Sequence, residues 1–310
     1  MLKFILIAVP TLLIAYYAAL SILPWEKKRK LRHLATYGLG YVGAVVALIP
    51  LMLLIWHLAK EGLPGINADF FVKGEKPTGM EGGGYANAIV GSGIIVLLAS
   101  LVGVPIGILA GIYLAEVGKG WFAATIRFLA EVLTGLPSII AGILVYLLIV
   151  MNMKDLEGWK NFNAVAGAIA LALLMIPVIT RVTEEAIRMV PGGLREASYG
   201  LGVPQWRTVL HVVLPAARSG ILTGVVLAIA RVGGETAPLL FTTLGNREII
   251  WDPRQSMGAL PLSIYNGAKS PSDINIELAV SGALFLVFWV AVVNVIIRWL
   301  AIKFQPKTSA

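Results

Sequence analysis

Apolar residues run along this chain in long blocks rather than in short alternations. A bilayer core about 30 Å thick needs about 20 largely apolar residues in a helix. Seven stretches meet that requirement, near 4–23, 38–57, 87–115, 128–151, 164–180, 221–244 and 278–301. The pattern predicts an all-α fold, a polytopic membrane helix bundle. The first stretch has about twice the apolar run of a secretory signal. The cations Lys27, Lys28, Arg29, Lys30 and Arg32 follow it as a stop-transfer flank.

Composition supports lipid as the solvent. Of 310 residues, 58% are hydrophobic and 14% charged, with a mean hydropathy of +0.83, whereas a soluble chain carries about a quarter charged residues. The net charge of +8 is of the size seen in nucleic-acid binders, but the cations here flank apolar runs, so nucleic acid is not the expected partner. With the basic segment 26–33 in the cytoplasm, 15 of the 25 cations fall on the cytoplasmic side, 9 lie outside and Arg231 is within a span. The positive-inside rule favours this phase: N-terminus outside, C-terminus cytoplasmic. Two outer loops, 58–86 and 245–273, are nearly neutral and long enough to meet a partner. The absence of cysteine removes disulfides and thiolate chemistry.

Signatures of covalent chemistry are missing. Gly118-Lys119 is the only Gly-Lys pair, and Gly120 follows it where a phosphate-binding loop needs Ser or Thr. The triplet Gly82, Gly83, Gly84 has no strand before it and reads as a loop hinge. His33, His57 and His211 are far apart and show no His-Glu-x-x-His spacing, so no metal site is expected. Glycines at 103, 107 and 111, and again at 220 and 224, form small-residue rows that let helices approach closely. Such rows serve packing inside the bundle or a seam against a second subunit. Pro105, Pro137, Pro177 and Pro238 interrupt helical hydrogen bonding within or beside spans.

The charges inside spans carry the candidate chemistry. Arg231 lies about ten residues into the sixth stretch, about 15 Å deep, where it costs at least about 2.5–3.5 kcal/mol. Glu235 is one turn later, with Gly233 and Gly234 between them. The two residues form either a pair that locks packing or the wall of an anion path in which Glu235 tunes Arg231. The second reading is favoured, since apolar residues would serve packing with less penalty. Arg181, four residues before Glu185, is either an interfacial anchor or the cytoplasmic mouth of the same path. Glu131 reads as snorkelled or paired with Arg127.

After Pro191, the apolar residues Leu194, Ala197 and Leu201 fall on one face of a short helix ended by Gly202. Pro204 suits the start of a second short helix through His211, and Pro215 begins the next span. The series Glu196-Ala-Ser198, Gly202, Val212, Leu214, Pro215 resembles the EAA loop of bacterial ABC importer permeases. Ser198 stands where a second Ala is usual, and Val212 where Ile is usual. Segments 86–91, 106–116, 133–138 and 230–239 narrow the resemblance to permease subunits of phosphate-specific ABC importers, over roughly 32–304.

The resemblance implies a six-helix permease core, with one extra N-terminal transmembrane helix and basic flank at 1–31. The permease domain would then be 32–310, with its cytoplasmic coupling loop at 191–215. It further implies a second related permease subunit, an ATPase dimer that carries ATP and Mg, an extracytoplasmic phosphate-binding protein and an inner-membrane location. No cofactor is expected on this chain. Arg231, Glu235 and Arg181 would line the phosphate path, while Leu194, Glu196, Ala197, Leu201, Gly202, Leu214 and Pro215 would dock the ATPase. Two other readings stay open: a permease for molybdate or sulfate, and a self-sufficient secondary anion carrier, which would be expected to show internal repeats.

Overall fold

The computed structural model describes residues 25–155 and 158–303. The expected span 4–23 lies outside them. The described residues are helical, with no strand among them. Contacts divide the chain into two units, Met1–His57 and Leu58–Ala310. In the first, the described residues form most of α1 (Trp25–Gly62), a helix with a basic first turn and Pro50 in its interior.

In the second unit, a short helix α2 (Ala68–Val72) is capped by Asn67, whose side chain accepts from the Phe70 N–H. Then come α3 (Ala86–Ile112), running on through a π turn at Tyr113–Val117, α4 (Gly120–Gly135), α5 (Ser138–Leu148) and α6 (Ala164–Arg188). The loop helices α7 (Gly192–Gly200) and α8 (Gln205–Thr208) lead through a second π turn, Val209–Val213, into α9 (Leu214–Gly233). The chain closes with α10 (Ala237–Thr242), α11 (Leu260–Ala268) and α12 (Asp273–Lys303). Five described helices are long and apolar enough to cross a bilayer, or six if α4 and α5 count as one broken span.

Two expected spans differ in detail. The stretch 128–151 is not a straight helix: α4 and α5 are bent by 108°. Gly135 ends α4, and Leu136, restricted by Pro137 after it, is extended at φ −71°, ψ 134°. The stretch 221–244 is displaced as well. The helix begins before it, passes from α8 through the π turn without a stop, and ends at Gly233. Pro238 then opens α10 as a separate element.

α3 and α6 lie parallel. A Cβ on Gly107 would come 2.7 Å from Ile179 Cβ, and one on Gly111 would come 2.5 Å from Thr183 Cβ. α9 packs antiparallel on the same helix, with Gly220 against Ala186 and Gly224 against Val182. Both small-residue rows therefore pack within this chain and are not seams for a second subunit. Around them lies a core of Leu171, Met175, Ile179, Ala228 and Val232, all essentially sealed.

The expected hinge at 82–84 is different too. A Cβ on Gly84 would fall 2.3 Å from Asp69 O, and its N–H donates to Gly74 O. That glycine is required by close backbone packing.

Candidate functional site

The break after α9 sets the position of Arg231. The antiparallel register of α9 on α6, 220 against 186 and 224 against 182, brings residue 231 level with Met175. At about 1.5 Å per residue, that is about 16 Å from one end of α6 and about 20 Å from the other. Arg231 therefore lies level with the middle of α6, although the span boundaries behind the sequence count do not hold. Arg231 occupies the last turn of α9, where its own carbonyl and that of Val232 accept from the Gly234 N–H. A cation there is favoured by the helix dipole, by about 0.3–1 kcal/mol.

Glu235 sits in the break between α9 and α10. Its Oε1 is 3.9 Å from Arg231 Nε, a charge contact longer than a hydrogen bond. The Arg231 side chain is 43% exposed and that of Glu235 is 20% exposed. A Cβ on Gly233 would meet nothing within 4 Å, so the backbone beside the pair is open. The guanidinium is neither sealed in the core nor saturated by its neighbour.

Arg181 is also exposed, with Nε 3.3 Å from Glu185 Oε1. It borders a groove of about 420 Å³ with Arg127, Glu131, Thr180, Glu184, Glu185 and Arg188. Arg127 does not take Glu131 as its acceptor. Its Nε donates to Glu184 at 2.9 Å and its Nη2 to Leu114 O at 2.9 Å. Glu184 also accepts from Arg188 at 2.8 Å. The interhelical partner wins because a single carboxylate, 13% exposed, satisfies two guanidinium groups.

In the loop 191–215, Leu194, Ala197 and Leu201 are exposed on one face of α7, with Leu201 84% exposed. They border a groove of about 600 Å³ with Val203, Arg207, His211 and Val212. Glu196 is exposed beside them. Gly202 turns the chain at φ +77°, a conformation that glycine adopts without steric cost. Leu214 packs on the cluster of Ile187, Val213 and Ala217, and Pro215 lies in the first turn of α9. Ser198, the departure from the usual Ala, is buried. Its hydroxyl meets that of Thr208 at 2.8 Å, tying α7 to α8.

Sequence reasoning missed two clusters. Arg195 joins Glu116, 79 residues away, and Gln205 Nε2 donates to the carbonyl of Glu116. At the opposite end of the bundle, buried Asn87 donates to Asn246 O at 2.6 Å and to Glu75 Oε1 at 3.2 Å, and accepts from the Glu75 N–H. Glu75 also accepts from Ser263. Burial, and secondarily Glu75, pushes the nearby Tyr85 phenol well above its ordinary range; its hydroxyl donates to Ser263 O. Asn87 and Gly91 both stand in a motif noted in the sequence, and a polar residue opening an apolar helix was the available signal. Among the described residues, no group of three or more His, Asp or Glu is arranged to hold a metal ion.

Comparison with known proteins places this arrangement in a family. The model of the binding-protein-dependent transport system inner membrane component matches residues 103–310. The phosphate transport system permease protein PstA of Yersinia pestis is 44% identical over 255 residues, 81% of this chain and 84% of its own. The PstA of Haemophilus influenzae is 42% identical over 281 residues, 90% and 96% of the two chains. Among solved structures, a chain of a bacterial alginate ABC transporter in complex with an alginate pentasaccharide-bound periplasmic protein superposes with a TM-score of 0.65. It is 16% identical, over 91% of this chain and 99% of that one. A chain of the inward-facing MetNI methionine ABC transporter gives 0.57 at 17% identity, over 71% and 96%. The likeness to both is one of fold. The chain belongs to the binding-protein-dependent inner membrane components of ABC transporters, and within them to the PstA-type permeases.

Proposed function

We propose that this chain is a membrane-spanning permease subunit of an ATP-driven phosphate importer. It forms half of the anion path, docks an ATPase subunit and performs no covalent chemistry itself. One observation carries the path: a half-exposed guanidinium level with the middle of α6 and beside an open glycine break, with a carboxylate near enough to compensate it but not bonded to it. Phosphate, handed over by an extracytoplasmic binding protein, replaces Glu235 as the counter-charge of Arg231 through charge-assisted hydrogen bonds. Arg181, about 9 Å further along α6 by its rise per residue, receives the anion at the cytoplasmic mouth. A second, related permease supplies the facing wall.

ATP and Mg belong to a dimer of ATPase subunits. Leu194, Ala197 and Leu201 form the apolar seat of the coupling helix, Glu196 lies at its edge, and Gly202, Leu214 and Pro215 fix its return into α9. The permease domain is 32–310, preceded by a further N-terminal helix and basic flank at 1–31, with the N-terminus outside and the C-terminus in the cytoplasm. The 44% identity to a named phosphate permease supports phosphate over molybdate or sulfate.

The test of substrate is ATP hydrolysis by the assembly in proteoliposomes with its binding protein. Phosphate should stimulate turnover, and sulfate and molybdate should not. Stimulation by sulfate alone would replace the substrate, and transport without any ATPase would replace the class. Reporter fusions after Lys30 and within 58–86 test orientation; a cytoplasmic signal from the second would reverse it.

A further inference from the structure

A buried ion pair fastens the coupling helix α7 to the membrane bundle. Arg195, on α7, directs Nε and Nη2 to Glu116 Oε1 at 3.1 and 2.8 Å. Its Nη1 donates to Val190 O at 2.7 Å, and its Nη2 also donates to Ile187 O at 2.9 Å. The Glu116 side chain is 6% exposed and that of Arg195 is 20% exposed. A planar guanidinium, with five N–H donors in a fixed fork, can serve a carboxylate and two carbonyls at once. Gln205 on α8 adds a bond to the Glu116 carbonyl.

Glu116 lies in the π turn that ends α3, where the Gly118 N–H reaches back to Tyr113 O. π turns in helices often mark functional sites. This one is a junction. Its Leu114 carbonyl accepts from Arg127 of α4, which also binds Glu184 of α6. One turn of backbone thus holds α7 and α8 on one side, and α4 and α6 on the other.

We infer that the Arg195–Glu116 pair is the tie through which displacement of the docking loop is passed to α3, making both positioning residues for coupling rather than for docking. The inference rests on the proposed importer role. The exposed face that would seat the ATPase is that of Leu194, Ala197 and Leu201, whereas the tie points away from it into the bundle. Cutting the tie should leave the ATPase bound and working but its work unharnessed.

The test uses the complete assembly in proteoliposomes, with Arg195→Gln and Glu116→Gln variants of this chain. Both should co-purify the ATPase at wild-type stoichiometry and hydrolyse ATP, while anion carried per ATP falls at least fivefold. The double variant Glu116→Cys with Arg195→Cys, in a chain that has no cysteine of its own, should be equally uncoupled and should regain coupling when bridged by a short bifunctional thiol reagent. A second readout is independent of substrate: maleimide labelling of a Val102→Cys reporter, exposed on α3, should change on ATP addition only while the tie is intact.

An unchanged transport-to-ATP ratio in Arg195→Gln would overturn the inference. So would loss of the ATPase from the complex, failure of the bridge to restore coupling, or labelling that ignores ATP in the wild type. Wild-type assemblies that show ATP-dependent labelling but carry no phosphate would instead sink the substrate reading and leave the tie standing.

Discussion

Replacing Gly111 by Ala should destabilise this protein, whereas the same change at Gly93, in the same helix, should not. At Gly111 the new Cβ would stand 2.5 Å from Thr183 Cβ, 2.7 Å from Thr180 O and 2.8 Å from Thr183 Cγ2. Ordinary contact between carbons is about 3.5–4.0 Å, so α3 and α6 would have to part by about 1 Å. Two of the obstacles are a Cβ and a backbone oxygen, which no rotamer change removes. Overpacking of this kind costs about 2–3 kcal/mol, and alanine returns about 1 kcal/mol in helix propensity. The net loss is about 1–2 kcal/mol.

At Gly93 nothing lies within 4 Å of the added atom, so only the propensity gain remains, up to about 1 kcal/mol. The two variants would be compared by thermal unfolding of the detergent-purified assembly. For domains of comparable size, 1 kcal/mol corresponds to about 2–4 °C. Gly111→Ala should therefore melt about 2–8 °C lower, and Gly93→Ala at or slightly above wild type. Equal midpoints for the two would show that α3 and α6 do not meet along this glycine row, and the bundle described above would be wrong.

Other consequences follow from the loop and from the opposite end. Ser198→Ala leaves the buried Thr208 hydroxyl without its side-chain partner and should cost about 1–2 kcal/mol, while Ser198→Ala with Thr208→Val should be nearly neutral in the same melt. Leu201→Ser, at an 84% exposed position, should leave the permease's own melting unchanged but weaken ATPase retention on affinity resin; full retention would remove Leu201 from the seat. Gly202→Val has free space around it but a φ of +77°, so it should reshape the turn and loosen the ATPase as well, read by co-purification. Asn87→Ala strands Asn246 O and the Glu75 N–H and should lower stability by about 1–3 kcal/mol, measured as faster proteolysis of the loop 245–259.

Much of this architecture is written in local pattern. Long apolar runs locate the helices, because lipid demands about 20 residues of them wherever the chain crosses. The face of Leu194, Ala197 and Leu201 is legible because three residues at helical spacing define it. Arg231 and Glu235 are legible because they are four residues apart and because charge within a span is rare. The bend between α4 and α5 is less so. Its apolar run is unbroken, and only Gly135 and Pro137 mark a corner that a hydropathy pattern reads through.

Pairings across long sequence separations were not legible at all. Arg127 had a carboxylate one turn away at Glu131, yet took Glu184, 57 residues on, because α4 packs on α6. Arg195 found Glu116, 79 residues away, because the loop helix α7 folds against the π turn that ends α3. The glycine rows announced close contact without naming the partner, and only the side chains of Ile179, Thr183, Val182 and Ala186 decide that the contact is internal.

The central claim is that a guanidinium is held in mid-membrane because an anion passes it. Arg231→Gln in the reconstituted assembly, with uptake of radiolabelled phosphate and recovery of the intact complex measured on the same preparation, addresses it most directly. The account predicts a complex of normal composition in which uptake has fallen to background. Uptake at the wild-type rate from a correctly assembled Arg231→Gln complex would contradict it.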